Sequence, residues 1–95
     1  MAVRGIGPSL AQSGVTNALA DPTLELVDAN GRTLGTNDDW AQDPQASALQ
    51  AEGLAPSDPH EPAIFRTDLA PGAYTAIVRG KNATSGVGLV DIYVF

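Results

Sequence analysis

The chain has 95 residues and no cysteine, so one domain with a modest core is expected, and disulfides and thiolate metal sites are excluded. Eleven acidic against five basic residues give a net charge of −6, which argues against a nucleic-acid partner because phosphate binding needs clustered Lys and Arg. No apolar run approaches the ~20 residues of a membrane-spanning helix. The start of the sequence does not resemble a signal peptide, which is typical of a mature or excised fragment.

The N-terminal residues predict a short strand followed by a turn of helix. Residues 2–6 form an apolar segment of strand length, which Gly7 and Pro8 end. Ser9 is placed to cap a helical turn over residues 10–12, because its hydroxyl can accept a free backbone N–H.

A β-hairpin is predicted next. Residues 23–28 alternate polar and apolar side chains, with Leu24 and Leu26 facing inward. The Asn-Gly dipeptide at 30–31 is a strong hairpin-turn signal, and residues 33–36 form the returning strand.

The middle of the chain contains the one predicted helix. Residues 45–52 follow Pro44, which favours a helix start, and precede Gly53, a residue suited to the helix C-terminus. A strand over residues 63–67 comes after a proline-rich connection.

The C-terminal part predicts two further strands. Pro71 and Gly72 predict a tight turn, since Pro presets φ and Gly tolerates positive φ. One face of the strand that follows carries Tyr74, Ala76 and Val78. The last strand covers residues 87–95, with apolar side chains on both faces.

Together these elements predict an all-β fold. About six short strands and one short helix, joined by turns, fit an antiparallel β-sandwich or jelly roll best. A single domain is expected over residues 1–95.

The order and spacing of several segments resemble a β-sandwich repeat of large secreted or surface proteins of environmental bacteria. More distantly, the chain is similar to the pre-peptidase C-terminal domains of secreted peptidases. The segments that carry this resemblance are residues 4–10, 19–26, 28–31, 37–40, 69–80 and 86–93. The resemblance implies an extracellular or cell-surface module that is not an enzyme, and it supplies no catalytic residues.

Two departures from that repeat bear on assembly. The repeat usually has strands upstream of residue 4, which this chain would then lack, and its last strand usually turns polar where this chain continues as Val94-Phe95. Uncovered sheet edges can pair with another copy. Self-association is therefore expected to involve Val3, Ile6, Val94 and Phe95, giving a homo-oligomer, a fibre or contacts between neighbouring repeats.

Acidic and amide side chains around the hairpin form a candidate calcium site. Calcium takes six to eight oxygen ligands from carboxylates, amides and backbone carbonyls. The candidate ligands are Asp28, Asn30, Asn37, Asp38, Asp39 and Glu61. The alternative is structural, because Asp and Asn also favour turns by bonding to the local backbone.

Trp40, the lone tryptophan, is the candidate ligand-binding residue, either as a stacking platform for an extracellular polysaccharide or as a side chain packed on the core. His60 is the single histidine, and no Gly-x-Ser-x-Gly motif accompanies it, so catalysis is not expected.

Three functions follow as hypotheses. The first is a non-catalytic extracellular structural or adhesion module. The second is a self-assembling subunit that pairs strands between copies. The third is a calcium-stabilised carbohydrate-binding module.

Overall fold

The computed structural model describes residues 1–67, 69 and 72–94, which form two three-stranded antiparallel sheets and two short helices. The strands and α-helices, in chain order, are β1 (Ala2–Ile6), α1 (Pro8–Gln12), β2 (Pro22–Asp28), β3 (Thr33–Asn37), α2 (Ala46–Ala51), β4 (Ala63–Phe65), β5 (Tyr74–Gly80) and β6 (Leu89–Tyr93). Two single turns of 3₁₀-helix cover Trp40–Gln42 and Lys81–Ala83.

The first sheet has the order β4-β1-β6 and the second has the order β3-β2-β5. Val3 at the centre of the first sheet and Ile64 beside it meet Leu24 and Leu26 of the second sheet in one buried cluster. Each of these four side chains is at most 1% exposed. Because successive side chains of a strand alternate between faces, this cluster forms on one face of each sheet.

A second cluster covers the opposite face of the first sheet. Ala2, Ala63 and Phe65 project there, and Leu49 of α2 packs over them. β1 is thus buried on both faces, which explains why its sequence is apolar at consecutive positions.

A strand is found in each predicted segment, but β4 ends at Phe65 rather than at residue 67, and β6 begins at Leu89 rather than at residue 87. β1 has the predicted bounds, and the β2–β3 hairpin carries Leu24 and Leu26 on its buried face. The turn contains Gly31 at a φ of 81°, and the Gly31 amide bonds to the Asp28 carbonyl at 3.1 Å. Asn30 keeps a negative φ, so the loop follows the longer turn pattern that ends in a left-handed glycine.

The helix prediction needs one correction. α2 is the predicted helix, and Gly53 after it has a φ of 71°, as a C-terminal glycine should. The segment after β1 is a second α-helix, α1, and its N-cap is Gly7, not Ser9. The reason is that the carboxylate of Glu61, which is distant in sequence, accepts the hydrogen bonds of the backbone amides at the start of α1.

Two further predictions have partial outcomes. Pro71 lies outside the described residues, but Tyr74, Ala76 and Val78 do pack against the cluster between the sheets. A jelly roll has eight strands, and the part of the chain that the structure describes has six. No helix among the described residues is long and apolar enough to cross a membrane.

Candidate functional site

The hairpin turn uses its acidic residue to hold its own backbone. Asp28 Oδ1 accepts hydrogen bonds from the amides of Asn30 and Arg32, both at 2.9 Å. This is the turn-stabilising role in which Asp is common. The carboxylate therefore has a structural function without any ligand.

At the other end of β3, an amide side chain connects the two sheets. Asn37 Oδ1 accepts a hydrogen bond from the Ala63 amide at 3.0 Å, and Asn37 Nδ2 donates to the Asp39 carbonyl at 3.2 Å. Both ends of the Asn37 side chain are occupied, so this residue ties β3 to the start of β4.

Asp38 lies beside Asn37 and forms an ion pair with Lys81, with Nζ and Oδ2 2.9 Å apart. The hydrogen bond from Lys81 lowers the pKa of Asp38 from its ordinary value of 3.8. The same bond raises the pKa of Lys81 from its ordinary 10.5. Asp38 is therefore ionised and paired at neutral pH.

Glu61 is the one buried charged residue among those described, with no exposed surface. Its Oε2 accepts from the amides of Gly7 and Ser9, both at 2.9 Å. Its Oε1 accepts from the Ser9 hydroxyl at 2.7 Å and from the Asp58 amide at 3.2 Å. Four hydrogen-bond donors thus surround this carboxylate, as the burial of a charged group requires. Because two of them are the amides of Gly7 and Ser9, Glu61 acts as the cap of α1.

The six candidate calcium ligands therefore lie in three places. Asp28 and Asn30 are at the hairpin turn, and β3, about 16 Å long at 3.3 Å per residue, separates them from Asn37, Asp38 and Asp39. Glu61 directs its carboxylate toward α1. In the described part of the chain, no three acidic, His or Cys side chains form a group that could hold a metal ion. Calcium binding stays a prediction.

Trp40 is partly buried and packs against the cluster under α2. Its Nε1 is buried and finds no hydrogen-bond acceptor among the described residues. The Trp40 side chain thus contributes to the core, and a role in ligand binding stays a prediction. His60 is exposed and lies 3.2 Å from Asp58 Oδ1.

A polar groove of about 490 Å³ crosses the outer face of the second sheet. It is lined by Thr23, Glu25, Thr36, Asn37, Gln42 and Arg79, among others, and Trp40 is not among its lining residues. Glu25 accepts a hydrogen bond from the Thr33 hydroxyl at 2.7 Å and one from Arg79 at 3.0 Å. Both bonds lower the pKa of Glu25 from its ordinary value of 4.5, and the bond from Thr33 has the larger effect.

The exposed apolar surface is concentrated on and around β6. Every large apolar residue classed as exposed in the described chain lies between positions 87 and 94. They are Val87, Leu89, Val90, Ile92, Tyr93 and Val94. Ile92 is 55% exposed and Val94 is 83% exposed, so these side chains lack cover within the chain.

The residues predicted to self-associate divide between core and surface. Val3 and Ile6 are buried by the chain itself, at 1% and 8% exposure, and so lie outside any exposed contact surface. Val94 belongs to the exposed row, and Phe95 lies outside the described residues.

Among the described residues, no strand pairs with the outer side of β6. The Gly5 amide bonds to the Pro62 carbonyl at 3.0 Å, so odd-numbered residues of β1 direct their backbone groups toward β4. Even-numbered residues of β1 therefore bond to β6, and Arg4 is opposite Asp91. By the same alternation, Val90 and Ile92 direct their N–H and C=O groups to the outer edge.

The single charge on β6 is neutralised from within the first sheet. Arg4 Nη2 lies 2.6 Å from Asp91 Oδ2 and 3.0 Å from the Tyr93 hydroxyl. The guanidinium also lies over the Tyr93 ring, 5.2 Å from its centroid. Both charged side chains are mostly buried, at 19% and 24% exposure, so this edge presents almost no net charge.

Sequence reasoning missed the exposure of Leu89, Val90 and Ile92. A signal was present: a strand that is apolar on both faces is either buried on both or covered by a partner. The β1 strand is the first case, whereas β6 is exposed at the sheet edge in the described part of the chain, and the sequences of the two strands do not separate them.

Comparisons with protein families, with curated proteins and with solved structures gave no match to this chain. The site is therefore interpreted from its own geometry.

Proposed function

We propose that this chain is a non-catalytic structural module, a β-sandwich that joins neighbouring β-structure through the free edge of β6. The observation that carries the proposal is the coincidence, in one strand, of exposed apolar side chains and unpaired backbone groups. An extended segment that pairs with such an edge gains main-chain hydrogen bonds and covers the apolar row.

The β6 edge also lacks the features by which proteins prevent unwanted pairing. Edge strands are usually protected by Lys, by Pro or by a bulge. Residues 87–94 contain neither Lys nor Pro, and β6 keeps a regular register with β1 over five residue pairs. An edge without protection supports a role in association.

Three of the side chains predicted to bind calcium form hydrogen bonds with the protein's own backbone. Asp28 holds a turn, Asn37 joins two strands and Glu61 caps a helix. These uses support a module without a reactive centre. The resemblance of the sequence to a repeat of bacterial secreted and surface proteins supports placing the module outside the cell.

A strand-addition experiment tests this function. The probe is a peptide of residues 86–94 with a solubilising lysine tail, and its binding to the immobilised chain is measured. We expect saturable binding in the micromolar range, absent for a peptide of scrambled order, since a scrambled sequence does not keep the pairing of side chains along the edge.

The variant Ile92→Lys places a charge on the edge and should abolish peptide binding. Thr36→Lys adds the same charge to β3, the edge of the other sheet, and should leave binding unchanged. If the native chain does not bind the ordered peptide, or if both variants behave alike, the proposed function is wrong.

A further inference from the structure

The geometry points to a symmetric dimer in which β6 pairs antiparallel with β6 of a second copy of this chain, in a register centred on Ile92. This inference rests on the proposed function and names the partner. The two three-stranded sheets that contain β6 would then become one six-stranded sheet, in the order β4-β1-β6-β6-β1-β4.

The exposed area suits an interface of this kind. The six exposed apolar residues between 87 and 94 together expose as much surface as about three fully exposed residues, on the order of 500 Å². Two copies would bury at most roughly 1,000 Å² of this surface in total, which lies at the lower limit for a specific interface. A reversible dimer with a micromolar dissociation constant is therefore expected.

Registers centred on Val90, Asp91 or Ile92 each keep the side chains that face the second sheet on the same side in both copies. The register centred on Asp91 places two carboxylates opposite each other, which is unfavourable. The register centred on Val90 places Ile92 opposite Gly88, and so leaves Ile92 without a side chain to pack on. In each of these registers, even-numbered residues lie opposite even-numbered residues and odd-numbered residues lie opposite odd-numbered ones, as the shared face requires.

The register centred on Ile92 avoids both faults. Ile92 lies opposite Ile92 of the second copy, and Val90 lies opposite Val94, so the exposed apolar side chains of Val90, Ile92 and Val94 each meet another. Asp91 lies opposite Tyr93 and keeps its own ion pair with Arg4. The backbone groups of Val90 and Ile92, which point to the free edge, become the hydrogen-bonding groups of the new pairs.

The overall charge makes a separate prediction about salt. Each copy carries a net charge of −6, so two copies repel each other at long range. Salt screens this repulsion, since the Debye length falls from about 30 Å at 0.01 M to about 10 Å at 0.1 M. Dimerisation through a neutral apolar edge should therefore become severalfold stronger with added salt.

Sedimentation of the native chain tests dimerisation, over concentrations from about 1 μM to about 1 mM. We expect a monomer–dimer equilibrium that Ile92→Lys shifts to monomer by at least tenfold in dissociation constant, while Thr36→Lys leaves it unchanged. A native chain that stays monomeric over this range, or that forms open-ended polymers, overturns the inference.

Disulfide cross-linking tests the register, because the chain has no cysteine of its own. In the proposed register the two Ile92 Cα atoms lie about 5.5 Å apart, within the range that a disulfide spans. Ile92→Cys should therefore cross-link under mild oxidation at least tenfold faster than Asp91→Cys, Val90→Cys or the control Thr36→Cys. Faster cross-linking of any of the other three overturns the register.

The two proposals can fail separately. If the peptide of residues 86–94 binds but whole chains stay monomeric, the edge accepts a strand and the second copy is not its partner. If neither peptide nor second copy binds, both proposals are wrong.

Discussion

Replacing Glu61 with Gln should destabilise this protein far more than the same substitution at an exposed glutamate. The Glu61 carboxylate is fully buried and accepts four hydrogen bonds, two of them from the backbone amides that begin α1. Glutamine keeps one acceptor oxygen and turns an NH₂ group toward the remaining donors. Either the amides of Gly7 and Ser9, which share Oε2, or the amide of Asp58, which bonds to Oε1, then lose their acceptor.

The magnitude follows from these contacts. A buried donor left without an acceptor costs about 1–3 kcal/mol, and the remaining bonds weaken because the acceptor is no longer charged. The expected loss in the free energy of unfolding is about 3 kcal/mol, a large part of the roughly 5–15 kcal/mol of a typical domain. For a chain of this size the melting temperature should fall by about 15 °C.

Thermal and urea unfolding, followed by circular dichroism, measure this effect. Glu52→Gln is the matched control, because it removes the same charge from an exposed position after α2. Equal melting temperatures for Glu61→Gln and Glu52→Gln would show that the buried carboxylate does not hold the N-terminal turn.

Three further substitutions probe other parts of the fold. Gly7→Ala should cost several kcal/mol, because its Cβ would lie 2.5 Å from a backbone oxygen, and urea unfolding measures the loss. Leu49→Ala should cost about 2–5 kcal/mol and shift the emission of Trp40, which packs on the same cluster, to longer wavelength. Lys81→Met should return the pKa of Asp38 toward 3.8, as an NMR titration would record. Because the pKa of Asp38 is lowered in the folded state, its contribution to stability is present above pH 3.8 and is lost as the pH falls.

Each of these predictions has a control variant or an outcome that would contradict it. Gly72→Ala should be nearly neutral, since its Cβ would meet nothing within 4 Å, and an equal loss at Gly7 and Gly72 would contradict the steric argument. An unchanged Trp40 emission in Leu49→Ala would contradict their shared packing. Arg32→Met removes an exposed cation from the hairpin turn and should leave the titration of Asp38 as it was.

Much of the fold was predictable because its signals are local. The alternation in β2 and β5 assigns each side chain to a face, and the register between them confirms that assignment. Glycine after α2 and in the β2–β3 turn marks positions where the backbone takes a positive φ. The calcium prediction rested on residue type alone. Residue type does not show which side-chain oxygens already accept hydrogen bonds from backbone N–H groups.

The sequence by itself determined which segments form strands and which of their side chains share a face, since strand periodicity and turn chemistry depend on neighbouring residues. Tertiary structure alone decided the role of Glu61, whose partner Gly7 is 54 positions away. It also decided that β1 is covered on both faces while β6, with similar apolar content, lies at an edge. Burial depends on which strands become neighbours in space, and a strand's own residues do not specify that order.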